Sequence, residues 1–419
     1  MPAKTFIDRP DLLDSESPPG LRVVQLTADA DHPFCHVYME AQVFSSDSQR
    51  FLIRRSRMAH NHTLNDPDYQ YHLCDLDAQE ISPLTNELNV CAPSFSPDDQ
   101  WVYYLTDDAQ SGGAVALRRV RPDGTGRETL RVYDQPLSGA DVPLRLIYPL
   151  STMSSDGRYL VTGAGVGVER DPWGIVRFDL ATGEAMVIWR DPFIRNSHPQ
   201  YCRSHDPQRR RDLLIQQNHG QLWDTTTGET LAYGHDPGGA DVHVIRDDGG
   251  DLRTMPWGRD GSEYCQGHQC WRGRSGWAIT STMTYLPKRQ EGARMECRLI
   301  ESQPVAEAGH IGSQSPDAVR HFLSVDTAEP MFYHFATDIE GTRLISDFWH
   351  PDGRETLYLF ALDKPGRPPK TVRYLLNTRT AKTKDTHSHP FLSPDGRRAF
   401  FNSNESGNLQ AYMIENLPL

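Results

Sequence analysis

Short runs of apolar and aromatic residues recur along the chain, each reached through a polar turn that carries Ser, Asp or Gly. Val43-Phe44-Ser45-Ser46-Asp47 leads into Arg50-Phe51-Leu52-Ile53. The same unit returns as Pro93-Ser94-Phe95-Ser96-Pro97-Asp98-Asp99 before Trp101-Val102-Tyr103-Tyr104, and as Ser151 to Gly157 before Tyr159-Leu160-Val161. Further copies begin at His198-Pro199-Gln200-Tyr201-Cys202, at His268-Gln269-Cys270-Trp271, at His334-Phe335-Ala336-Thr337-Asp338 and at Thr386-His387-Ser388-His389-Pro390. A turn followed by a half-buried run of this length predicts a strand. Tyr71 to Asp77, Val176 to Glu184 and Val242 to Gly249 lie between copies and read as second hairpins, with Thr-Gly or Asp-Gly supplying the positive-φ turn residue. Seven copies spaced roughly 50 to 70 residues apart, each with about four strands, predict an all-β seven-bladed β-propeller of antiparallel blades. Two unrelated β-sandwiches fit less well, because the copies span the whole chain. The expected layout is an N-terminal arm over 1–20 and one propeller domain over 21–419, with Leu21 to Thr27 closing the ring against the last blade.

Composition narrows the partners. The chain has 419 residues and a formal charge of −13, which argues against nucleic acid and requires a locally positive pocket for any anionic ligand. No apolar run approaches the roughly 18 residues of a membrane-spanning helix, so no membrane association is expected. The start of the chain lacks the apolar stretch of a secretory signal, and a cytoplasmic protein is expected, either monomer or homodimer. Seven scattered cysteines without CxxC spacing read as buried thiols. Arg209-Arg210-Arg211 reads as a solvated turn, and 286–333 as a blade with an insertion over one face. No G-x-S-x-G motif is present, which disfavours a serine hydrolase.

The candidate chemistry is carried by histidine. Residues at the start of each blade's innermost strand point toward the central channel, and His198, His268, His334, His387 and His389 all stand at such starts. In an extended His-x-His the two imidazoles share one face. With His334 from the preceding blade, His387 and His389 make a donor set suited to one divalent ion such as Mn²⁺, Fe²⁺, Zn²⁺ or Ni²⁺.

These segments, in this order, resemble the oligogalacturonate lyases of polysaccharide lyase family 22. The resemblance runs from about Leu21 to Pro418 through Cys35-His36, Phe95 to Asp99, Ser197 to Tyr201, Cys265 to Trp271, Tyr333 to Ala336 and Thr386 to Pro390. It implies a propeller that cleaves short uronic-acid oligosaccharides by metal-assisted β-elimination, leaving a 4,5-unsaturated uronate. It further implies Mn²⁺ on His334, His387 and His389, and His268 as the Brønsted base. Arg195 and Arg203 are the candidate catalytic arginines facing substrate carboxylates, with His36, His198, Gln200 and Lys384 as substrate contacts. The sequence departs from that family at two places. Lys384 stands where the family has a glutamine ligand, and no arginine occupies Asp241 to Ile245, where the family has one; Arg246 and Arg253 lie nearby. A lyase for a different uronide, a propeller that binds anionic saccharides without turnover and a TolB-like scaffold are the alternatives at this point.

Overall fold

The computed structural model describes residues 6–56, 64–169, 171–232, 239–257, 263–284, 295–306, 319–327, 331–350, 352–381 and 386–418. They form seven antiparallel sheets, the blades of a propeller. Blade 1 spans Phe34 to Pro83, blade 2 Val90 to Tyr133 and blade 3 Thr152 to Asp191. Blade 4 runs from Gln200 to Thr254 and carries a separate small hairpin, Leu222–Trp223 with Thr230–Ala232. Blade 5 comprises Glu263–Trp271, Ala278–Thr284, Met295–Ser302 and Val319–Thr327, and blade 6 runs from Met331 to Asn377. Blade 7 takes Phe391–Leu392, Ala399–Ser403 and Gln410–Glu415 from the C-terminal end. Its fourth strand is Arg22–Gln25, paired with Tyr412 to Glu415, so the ring closes between the two chain ends as the pattern predicts. Ile7–Asp8 pairs outside that strand, and Leu12 of the adjoining 3₁₀ turn is buried against the blade.

The recurring Ser-x-Asp turn has a common hydrogen-bond plan. Ser45, Ser96, Ser154 and Ser393 each donate Oγ–H to the aspartate two residues on, at 2.6–2.7 Å. Each serine also accepts the N–H of the residue five on, which opens or immediately precedes the next strand, at 2.9–3.0 Å. The side chains thus satisfy turn groups that would otherwise lack partners, which fixes the register of the first two strands of four blades. Each of these turns passes through a left-handed residue. Gly157 and Gly396 are that residue in two of them, at φ +70° and +68°, whereas Ser48 and Asp99 adopt the conformation with a side chain present.

Apolar faces of neighbouring blades pack together, with Phe44, Phe51, Phe391 and Phe400 stacking where blade 7 meets blade 1. Polar ties cross other seams. Buried Arg272 of blade 5 pairs with Glu301 at 2.6 Å and donates to Gly341 O of blade 6. In the arginine turn, Arg211 pairs with buried Asp247 at 2.5 Å, Arg210 reaches Asp156 at 3.7 Å and Arg209 donates to Ser275 O. Arg209 and Arg210 are thus committed to seams as well as to solvent, and Arg211 ties the turn within its own blade. The irregular stretch after 286 supplies the third and fourth strands of blade 5, and Val305–Ala306 reaches back to pair with Arg253–Thr254 at the edge of blade 4. Pro287 to Gln290 and Gly309 to Gly312 lie outside the described residues.

Candidate metal centre and active site

The functional histidines sit where inner strands begin, and the backbone there is unusual. His198 and His389 have φ of +43° and +42°, each within a Ser-His-Pro segment, while Phe332 and Gly267 have +57° and +83° just ahead of His334 and His268. In blades 5 and 6 the inner-strand register shifts between Cys265 and Gln269 and between Met331 and Phe335. These bulges lift His268 and His334 out of the regular alternation and re-aim them. Bulky residues held left-handed cost of order 1–3 kcal/mol each, and such strain concentrates at functional sites.

Three imidazoles converge. No two donor atoms of His334, His387 and His389 are more than 4.8 Å apart. The rings of His387 and His389 lie nearly parallel, 14° from coplanar, and His334 stands edge-on to both. Behind His334 lies Asp347, fully buried, which accepts the His334 backbone N–H at 2.8 Å and Nδ1–H at 2.6 Å, and the Trp349 indole N–H at 3.2 Å. Because the carboxylate accepts, Nδ1 carries the hydrogen and Nε2 is presented to the other two rings, the arrangement that orients metal-ligating histidines. Glu355 lies beside this pair, accepts from Ser388 Oγ and ties blade 6 to the His387–His389 segment. Burial and then the neighbouring Asp347 charge push its carboxyl well up. Tyr38 from blade 1 packs edge-on against His389 and closes the floor.

The donor set fits a divalent ion. Nitrogens bound at about 2.1 Å sit roughly 3 to 3.5 Å from one another, so modest closure of the three rings suffices. Three neutral imidazoles with a carboxylate behind one of them suit a borderline ion and leave positions for oxygen ligands.

Next to this cluster is a cavity of about 160 Å³, lined by His198, His268, His219, Tyr264 and the amides of Asn196, Gln216, Asn218 and Gln266. The His268 ring lies 4.9 Å from that of His334. His198 Nδ1 meets Glu40 Oε2 at 2.7 Å, and both residues are almost wholly buried. Burial raises the Glu40 carboxyl, and His198 pulls it back down. His219 pairs with Asp241 at 3.0 Å, in the strand where an arginine is absent. Asn, Gln, His and Tyr side chains with a single ring face make a surface suited to hydroxyl groups.

The structure brings His198, His268, His334, His387 and His389 together. The other described candidates, His36, Arg195, Gln200 and Arg203, do not line that cavity. His36 is buried in the seam between blades 1 and 7 among Phe51, Phe391 and Phe400, with Nε2 on Tyr412 O at 3.1 Å. Apolar surroundings lower it to about 4, so it is a neutral seam residue and does not reach the cavity. Arg195 lies over the Trp173 ring, 5.2 Å from its centroid, and against the Gly228 turn. Gln200 and Arg203 follow His198 down the inner strand into a second cavity of about 120 Å³ within the channel, with Glu40, Gln42 and Trp271. Gln200 is also tied to Gln269 O at 2.8 Å. Lys384 lies outside the described residues. Sequence reasoning missed Asp347, Glu355, Glu40 and the four amides. The one available signal was the repeated Ser-His-Pro at 197–199 and 388–390, which marks equivalent blade positions.

Fold and site together define a seven-bladed propeller with a three-histidine centre at one end of its channel. No protein-family profile matches the chain, and no curated protein is recognisably similar in sequence. Solved structures are similar in fold. An oligogalacturonate lyase in complex with manganese superposes with a TM-score of 0.69 at 19% identity, over 99% of this chain and 96% of that one. The oligogalacturonate lyase of Vibrio parahaemolyticus gives 0.66 at 15% identity, over 98% and 96%. Hydrazine synthase of Kuenenia stuttgartiensis gives 0.51 at 13%, over 92% and 96%, so the fold also serves other chemistry.

Proposed function

We propose that this protein is a lyase that cleaves short uronic-acid oligosaccharides by β-elimination, with a divalent ion, Mn²⁺ foremost, held by His334, His387 and His389. The observation that carries the reading is the placement of His268 beside that donor set, at the rim of a cavity lined by hydroxyl-binding amides. The fold shared with two oligogalacturonate lyases, one described with manganese, supports it and makes galacturonate the first substrate to test.

Elimination at a 4-linked uronate needs the C5 proton removed, and that proton is only weakly acidic. A bound ion supplies positive charge to the neighbouring carboxylate and lowers the cost of the charge that develops on it. His268, as a neutral imidazole, takes the C5 proton. Asp347 holds His334 in one tautomer and one orientation. Asn196, Gln216, Asn218 and Gln266 hold the sugar hydroxyls, and the small cavity favours chain ends of short fragments over polymer. Such fragments suit a cytoplasmic enzyme.

The test is a panel of digalacturonate, trigalacturonate and other uronate oligomers, followed by the ultraviolet absorbance of the unsaturated uronate. Product from at least one uronide, abolished by chelator and in His268→Ala, is expected. Saturable binding of these oligomers with no product from any of them would replace the lyase by a binding propeller.

A further inference from the structure

β-Elimination has a second half: the C4 oxygen must leave, and a sugar alkoxide leaves poorly unless it is protonated. His268 does not supply that proton in the step in which it receives one. The donor must therefore be another group of the chain that faces the cavity. Tyr264 and His219 face it, but His219 is committed to Asp241. The Glu40–His198 pair is built differently from both.

We propose that His198 is the general acid of the reaction and that Glu40 is its positioning residue; this deepens the lyase reading and rests on it. Nδ1 of His198 and Oε2 of Glu40 share one hydrogen at 2.7 Å. In the donating form Nδ1–H is held on the Glu40 carboxylate and Nε2, on the cavity side, carries the second hydrogen of the imidazolium, the one given to the leaving oxygen. Its surroundings fix the aim. Tyr38 of blade 1 and Tyr148, ahead of blade 3, pack their rings against His198 from two directions, 5.7 and 5.6 Å between centroids. Glu40 comes from blade 1 across the channel, so the contact ties blade 4 to the opposite side of the ring. The strained left-handed backbone at His198 sets the ring's direction further.

The step balances. The C5–H bond breaks and its proton goes to His268. The C5 electron pair forms the C4=C5 double bond, and the C4–O bond breaks with its pair on oxygen. That oxygen takes the Nε2 proton of His198, which is left as a neutral imidazole with Nδ1–H on the Glu40 carboxylate. Water then returns a proton to His198 and removes one from His268. The titratable groups facing His198 are Glu40 and Tyr38 from blade 1, Tyr148, and His268, His219 and Tyr264 around the cavity.

The experiment compares two leaving groups on the full-length, metal-loaded protein. One substrate is digalacturonate, and the other is a galacturonate with 4-nitrophenolate in place of the sugar at C4, which leaves without protonation. His198→Ala and His198→Gln are expected to lose about 10²–10⁴-fold in kcat on digalacturonate, and at least tenfold less on the nitrophenyl compound. His268→Ala loses both. Glu40→Gln lowers kcat on digalacturonate more than on the nitrophenyl compound with KM little changed, and Glu40→Asp restores part of the loss. Equal losses on both substrates in the His198 variants would overturn the acid role in favour of a binding or structural one. Wild-type protein inactive on both would overturn the elimination reading itself, and the acid role with it.

Discussion

Replacing Asp347 with asparagine changes one atom of the carboxylate behind the metal centre and tests how that centre is held. Asp347 accepts three hydrogen bonds, two from His334 and one from Trp349. An asparagine can keep the backbone contact through its oxygen, but it then turns an N–H₂ group toward His334 Nδ1. Two donors cannot face each other, so His334 either rotates or moves its hydrogen to Nε2, the nitrogen meant for the ion. Loss of such a supporting partner typically weakens metal binding 10–100-fold, about 1.4 to 2.7 kcal/mol. The tautomer switch puts Asp347→Asn at the upper end of that range. The substitution also removes a neighbouring charge that pushes the Glu355 carboxyl up. The assay is calorimetric titration of metal-stripped protein with Mn²⁺, alongside thermal melts that separate folding loss from binding loss. Mn²⁺ affinity indistinguishable from wild type in a folded Asp347→Asn protein would refute the claim that His334 binds through Nε2 under Asp347 control.

Three further outcomes follow from the same structure. His36 is held neutral, with its folded value lowered from 6.5 to about 4, so its contribution is complete above pH 6.5 and is lost as the pH falls toward 4; denaturant melts should lose up to about 3 kcal/mol more across that window in wild type than in His36→Phe. Gly267→Ala places a Cβ 2.6 Å from Gln216 Nε2 at a left-handed position, and should cost about 1–2 kcal/mol in urea melts while lowering kcat through the misplaced His268. Arg272→Met strands the buried Glu301 carboxylate and should destabilise by about 3–5 kcal/mol, most of it recovered in the Arg272→Met, Glu301→Leu double variant.

The architecture was legible because each blade repeats one turn chemistry. Ser-x-Asp before an apolar run is a local signal that needs no tertiary knowledge, and the histidines at inner-strand starts inherit their convergence from the ring. What a sequence does not display is the direction of a side chain where the backbone leaves regular alternation. His36 and His334 both sit in inner strands, yet one is turned into a seam and the other, after a bulge at Phe332, into the channel. Long-range partners were hidden for a different reason. Glu40 and His198 are far apart in the chain, and Asp347 reads as one more polar residue in a strand until pairing sets it behind His334. Arg195 and Arg203 were chosen for charge alone, and only the structure distinguishes Arg195, which lies over Trp173, from Arg203, which lines the second channel cavity.

The central claim joins a three-histidine metal centre to elimination chemistry, and a stoichiometric titration tests both at once. Metal-stripped protein is titrated with Mn²⁺ while unsaturated product from digalacturonate and bound metal per chain are followed together. Product formation should rise in step with occupancy, level off at one ion per chain, and be absent in a His387→Ala, His389→Ala variant. Full turnover by the stripped protein, or one tightly bound ion that produces no turnover of any uronide, would contradict it.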